Sequence, residues 1–156
     1  MTVLYLHGLH SRPGGIKPTF LRNRGHDVIN PALPDDDFTA SVRIARAAYD
    51  ESMPDVVVGS SRGGAVAINI DSGSTPLVLI APAWRRWGSA ETAKPGTIIL
   101  HAEADDVIPI EDSRDLIRAS GLPESALVVV GPDHNMVDVA AFRALLDAIG
   151  AAGRPR

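Results

Sequence analysis

Val56-Val57-Val58-Gly59-Ser60-Ser61-Arg62-Gly63-Gly64-Ala65 carries an apolar, β-forming run straight into a glycine-flanked serine and then into small residues with helical spacing. The Gly59-x-Ser61-x-Gly63 string is common in turns when taken alone. Placed between a strand and a helix, it predicts a nucleophile elbow, with Ser61 in a tight turn that lifts its hydroxyl above a sheet. Gly59 and Gly63 leave space that a β-carbon would fill. The helix that follows points free N–H groups toward the same spot, a favourable place for developing negative charge. Ser60 lacks glycines at this spacing, so Ser61 is the candidate. An ordinary glycine-rich turn reads the same locally, and the other loops decide between the two.

Outward from this stretch, short apolar runs recur at Val3–Leu6, Val28–Ile29, Leu77–Ile80, Ile98–Leu100 and Leu127–Val130. Several lack alternation, as strands covered on both faces of a parallel sheet do. Segments with helical spacing lie between them: one with Pro18 in its first turn and Gly25 as its stop, then Phe38–Glu51, Gly63–Ile70, Glu111–Ser120 and Val137–Ile149. The alternation predicts one α/β domain over residues 1–156, with about six mostly parallel strands and helices on both faces. In such sheets ligands bind beyond the carboxyl ends of the strands.

Composition narrows the function classes. Fifteen Lys and Arg against nineteen Asp and Glu give a net charge of −4, which offers no general basic field for nucleic acid or an anionic membrane. Without cysteine there is no disulfide, thiolate metal site or cysteine nucleophile. No apolar run approaches the roughly 20 residues of a membrane span. Met1–His7 reads as a strand rather than a targeting leader, so a cytoplasmic protein is expected.

A serine needs a base to take its proton and a third group to orient that base. Downstream of the elbow, Glu103, Asp105 and Asp106 share the loop after Ile98–Leu100, and His134 follows the last apolar run in Gly131-Pro132-Asp133-His134-Asn135. His134 is the candidate base, and the loop's carboxylates are candidates for the acid. Two N–H donors are needed for a tetrahedral oxyanion. Arg62, directly after the nucleophile, and Leu9, in Leu6-His7-Gly8-Leu9, are the candidates, both acting through main chain so that their side chains need not matter. His7 is expected to brace this loop. His7-x-x-His10 with Asp105 lacks the spacing of a metal signature, and neither a metal nor an organic cofactor is called for. Trp84, Arg85 and Trp87, in Ala83-Trp84-Arg85-Arg86-Trp87, are possible substrate-binding residues; buried aromatics under exposed arginines are the alternative.

With these motifs in place the sequence resembles the α/β-hydrolase superfamily, and within it the small bacterial YqiA-like esterases. The resemblance rests on His7-Gly8, Gly59–Gly63, Asp105–Pro109 and Asp133-His134, and it spans nearly the whole chain. It implies that the acid is Asp105, because the superfamily's acid commonly stands four residues before a proline and Asp105-Asp106-Val107-Ile108-Pro109 matches that pattern. Two departures stand out. Six strands are predicted where the full superfamily sheet has eight, and Ala81–Gly96 is too short to hold the cap usually inserted there.

The resulting expectation is a minimal, cap-less serine hydrolase acting on small carboxylic esters or thioesters through Ser61, Asp105 and His134, with an open site suited to short acyl groups. Its partner is then a small-molecule substrate, with neither nucleic acid nor membrane involved. Two rivals share the fold: a non-catalytic binding protein, and an acyl or perhydrolytic transferase using the same triad.

Overall fold

The computed structural model describes residues 1–154. Its strands are β1 (Thr2–Leu6), β2 (Asp27–Ile29), β3 (Val56–Ser60), β4 (Leu77–Ile80), β5 (Ile98–His101) and β6 (Leu127–Val129). Its α-helices are α1 (Ile16–Asn23), α2 (Phe38–Ser52), α3 (Arg62–Asn69), α4 (Ile110–Ser120) and α5 (Val139–Ala152). All the strands join one sheet in the order β2-β1-β3-β4-β5-β6, and every pairing is parallel.

Side chains alternate across each strand, so the continuous apolar runs feed two cores. Leu4, Leu6, Val57, Leu77 and Leu79 face one side, where Ala45 of α2, Val66 of α3 and Leu116 of α4 cover them. Val3, Tyr5, Val58, Val78 and Leu100 face the other, under Leu21 of α1 and Leu145 and Ile149 of α5. Phe20 and Phe142 stack at 4.3 Å and tie α1 to α5. Burying each Leu, Ile or Val side chain contributes roughly 1.5–3 kcal/mol, which is why unbroken apolar runs are stable here.

Two elements depart from the sequence expectation. The last helix begins at Val139 rather than Val137, because the Asp138 side chain accepts the Ala140 N–H and so caps it. The preceding Val137 is left exposed. The last strand is covered less than its apolar run suggests, since β6 is an edge and Val128 and Val129 stay exposed. No helix among the described residues is long and apolar enough to cross a membrane.

After β1 the chain turns to β2 on one side and returns to place β3 on the other. The loops leaving β1 and β3 therefore diverge, and the crevice between them opens at the carboxyl edge. The candidate residues all reach this edge.

Candidate active site

The turn after β3 is tight because the surrounding backbone is close. A β-carbon on Gly63 would lie 2.0 Å from the Leu6 carbonyl oxygen, and one on Gly59 would lie 2.5 Å from the Gly63 oxygen. Ser61 between them adopts φ 54° and ψ −117°, a strained backbone for any residue with a side chain. The strained turn is held from both ends. The Ser61 N–H donates to the Ile80 carbonyl at 2.8 Å, and the Ser61 carbonyl accepts the Ala83 N–H at 2.9 Å.

Ser61 Oγ lies 3.1 Å from His134 Nε2, and His134 Nδ1 lies 2.7 Å from Asp105 Oδ2. Three loops, after β3, β5 and β6, thus converge on one hydrogen-bonded chain. The ionised carboxylate only accepts, so Nδ1–H donates to it and Nε2 is left to accept from the serine hydroxyl. His134 is positioned by its neighbours. Asp133 Oδ1 accepts the Asn135 N–H at 3.0 Å, and Met136 is buried in the core below.

Asp105 is fixed more firmly still. Its side chain is fully buried, and its Oδ1 accepts the N–H groups of Val107 and Ile108 at 2.9 and 2.8 Å. Burial pushes its pKa up, but the His134 hydrogen bond and the two backbone donors outweigh burial and leave it below the ordinary range. The adjacent Asp106 is exposed and takes no part in the chain. Sequence reasoning missed a second histidine on this carboxylate: His101 Nε2 lies 3.2 Å from Asp105 Oδ2. His101 is completely buried, with Nδ1 2.7 Å from Ser113 Oγ and Nε2 2.9 Å from the Ile108 carbonyl. Burial lowers its pKa and favours the neutral ring. Its place at the end of an apolar strand is the one sequence signal that could have found it.

On the β1 side, a β-carbon on Gly8 would lie 3.3 Å from Ser61 Cβ, so the glycine brings the Gly8-Leu9 backbone against the serine. Neither the Leu9 nor the Arg62 N–H has an acceptor among the described residues, and both residues line the same cleft as Ser61. His7 braces this loop: its Nε2 accepts the Leu33 N–H at 2.9 Å and its Nδ1 donates to the Gly8 carbonyl at 2.9 Å. His10 is exposed and pairs with Asp35 at 3.3 Å. Ser60 lies against the buried phenol of Tyr5, whose pKa rises with burial.

Two expectations need correction. The Arg62 side chain matters: it is 1% exposed, and its guanidinium donates to the Pro34 carbonyl and to Ser41 Oγ. It sits 4.8 Å from the Trp87 ring centroid and 5.4 Å from that of Phe38. Burial lowers its pKa against the pull of the Asp35, Asp36 and Asp37 charges, and the two rings add cation–π contact. Second, Trp84 and Arg85 do not line the cleft. Trp84 packs into the core with Nε1 donating to the Asp112 carbonyl, and Arg85 lies over its ring and pairs with Asp112 and Asp115. This half of the segment thus packs on α4, through Asp112 and Asp115. Trp87 does line the cleft, together with Arg86, the second arginine of this segment.

The cleft around Ser61 has a volume of about 820 Å³ and is open to solvent. Such a size admits a small organic molecule.

No family model matches the chain, and no curated protein matches it. Solved structures do. A candidate hydrolase from Agrobacterium vitis is 18% identical with a TM-score of 0.76, the match covering 98% of this chain and 88% of that one. A lid-less α/β serine hydrolase from Xanthomonas campestris is 17% identical with a TM-score of 0.58, over 97% of this chain and 78% of that one. The esterase domain of a Rhodothermus marinus protein is 17% identical with a TM-score of 0.60, over 97% and 82%. The fold is therefore that of the α/β hydrolases in a compact form, six parallel strands with five α-helices. The comparisons reach this superfamily fold without singling out its YqiA-like branch.

Proposed function

We propose that the protein is a serine-dependent hydrolase of small carboxylic esters or thioesters. One observation carries this reading: the Ser61–His134–Asp105 hydrogen-bonded chain at the open edge of the sheet, with distances of 3.1 and 2.7 Å. Likeness in fold to esterases and a lid-less serine hydrolase is consistent with it.

In the proposed reaction Ser61 Oγ attacks the carbonyl carbon as its proton passes to His134 Nε2. The negative charge that develops on the carbonyl oxygen meets the N–H groups of Leu9 and Arg62. The carbon–oxygen or carbon–sulfur bond then breaks, and His134 gives the proton to the departing alcohol or thiol. Asp105 keeps the ring oriented and stabilises its cation throughout. Water, deprotonated by His134, attacks the acyl-serine, and the acid leaves as Ser61 regains its proton. The open cleft suits short acyl groups, since each methylene left in water forgoes about 0.8 kcal/mol of transfer free energy.

The test is covalent. A fluorophosphonate probe followed by mass spectrometry is expected to modify Ser61 and to leave Ser61→Ala unmodified, with hydrolysis of short aryl esters lost in the same variant. Modification confined to Ser60, or esterase activity that survives Ser61→Ala, overturns the reading.

A further inference from the structure

The sign of charge in the cleft is opposite to that of the chain. The protein is acidic overall, with a net charge of −4. Yet Arg12, Lys17 and Arg86 line the cleft around Ser61, while the guanidinium of Arg62, which also lines it, is buried on Pro34 and Ser41; no Asp or Glu among the described residues lines it. The cations stand on both sides of the serine. Strands β1 and β4 flank β3 in the sheet; Arg12 and Lys17 follow β1, and Arg86 follows β4.

Two of them, Lys17 and Arg86, are oriented by main chain rather than paired with carboxylates. Lys17 Nζ donates to the Asn135 carbonyl, one residue from His134, and Arg86 donates to the Val107 carbonyl, two residues from Asp105. The next residue in the chain makes the contrast plain: Arg85 pairs with both Asp112 and Asp115 outside the cleft. Two acidic regions lie close by without lining the cleft. Asp35 pairs with His10 and, with Asp36 and Asp37, acts on Arg62, while Asp133 acts on Lys17. Burial nevertheless pushes the Lys17 ammonium down to about 8 against the pull of Asp133, so it is a cation held partly out of water. Leu9, Ile16, Val107 and Val137 are exposed hydrophobic residues lining the same cleft. An occupant that satisfies all these groups combines a short hydrocarbon part with a negative charge.

We propose that the substrate is an anionic ester or thioester, bearing a carboxylate or phosphate that Lys17 and Arg86 recognise. The inference rests on the serine-hydrolase reading and adds the substrate class to it. The anion could enter on the acyl side or with the leaving group, and the experiment separates the two. Matched pairs supply the arms. The acyl pair is 4-nitrophenyl hexanoate and the mono-4-nitrophenyl ester of adipate. The leaving-group pair is the acetate of 2-nitrophenol with and without a ring carboxylate.

In at least one pair, kcat/KM is expected to favour the anionic member about tenfold or more, the scale of one charge-assisted hydrogen bond. The ratio should fall severalfold in Lys17→Gln or Arg86→Gln and stay in place in Arg46→Gln, whose partner Asp50 is on α2, away from the cleft. In the unaltered protein it should shrink as salt rises from about 20 mM to about 0.5 M, a readout independent of how any variant folds. Equal rates within both pairs, zero rates included, or preference for the neutral member overturn the inference. Fluorophosphonate labelling of Ser61 in that same preparation leaves the hydrolase reading standing, whereas loss of labelling removes both. A ratio that persists in both variants overturns the assignment to Lys17 and Arg86.

Discussion

Two histidines meet the same oxygen of Asp105, and their surroundings give them opposite work. His134 lies at the cleft, joins Asp105 at 2.7 Å and turns its other nitrogen to a serine. His101 is fully buried, lies 3.2 Å from Asp105 and has both nitrogens occupied by Ser113 and the Ile108 carbonyl. A ring between a carboxylate and a hydroxyl can exchange protons with what enters the cleft. A ring whose nitrogens are both bound inside the core can only hold position. Burial and the second hydrogen-bond partner, rather than the residue type or its contact with Asp105, divide the roles.

The sharpest break of this comparison lies on the cleft side. His134→Ala is expected to lower kcat for a short aryl ester by about 10⁴–10⁶, as removal of one member of a triad does, with Tm little changed because the ring is partly exposed. Stopped assays and a melting curve on one preparation check both halves.

Asp105, which the two rings share, comes next. Asp105→Asn can hold His134 in the wrong tautomer and is expected to lower kcat about 10⁴-fold, while Asp106→Asn stays within about tenfold. If Asp106→Asn is the crippling change, Asp106 is the orienting acid. The same pair tests stability against pH. The folded-state pKa of Asp105 is depressed, so its contribution is present in full above the ordinary carboxylate range and is lost as pH falls through its own lower value. Tm measured from about pH 6 downward should therefore decline less steeply below about pH 4 in Asp105→Asn than in the unaltered protein.

On the buried side the effect is smaller in rate and larger in stability. His101→Leu strips partners from Ser113 and the Ile108 carbonyl, each worth about 1–3 kcal/mol when left buried and unpaired. The expected outcome is a clearly lower Tm with kcat reduced about 10–100-fold and KM unchanged, as a slightly displaced Asp105 would produce. A kcat loss equal to that of His134→Ala would erase the distinction drawn between the two rings.

The mildest test compares the two tryptophans of one short segment. Trp87→Ala should raise KM severalfold with little change in kcat, whereas Trp84→Ala should leave KM alone and lower stability by about 3–5 kcal/mol, as loss of a large core side chain does.

Local pattern carried most of the fold and the order of Ser61, Asp105 and His134 along the chain. The apolar run Leu77–Ile80 is β4 to the residue, and the Gly59–Gly63 string predicts a turn whose missing β-carbons the backbone demands. Edges were less legible: a local capping side chain moved the start of α5, and the exposure of Val128 and Val129 follows from the place of β6 at the end of the sheet, which neighbours in space decide. The same holds in the cleft. Ser61, Asp105 and His134 sit at strand ends that the motif order identifies, but Arg62 finds Pro34 and Ser41 across more than twenty residues of chain. Trp84 and Trp87 are three positions apart on one loop, and only their contacts in space tell them apart: Trp84 is held in the core on the Asp112 carbonyl, whereas Trp87 lines the cleft. Lys17 and Arg86 look like ordinary surface cations until the topology brings them to one opening.

If Ser61 is the nucleophile that the proposed function requires, its strained backbone sets the protein's durability against its chemistry. At φ 54° and ψ −117° a glycine would rest easily, while a side chain there costs about 1–3 kcal/mol. The fold on its own account thus favours a residue that cannot attack anything. Ser61→Gly should yield an inert protein that melts above the active one, even after the roughly 0.4–1 kcal/mol that glycine's extra freedom gives the unfolded chain. Under the proposed function, stability and reactivity then pull in opposite directions at this one position.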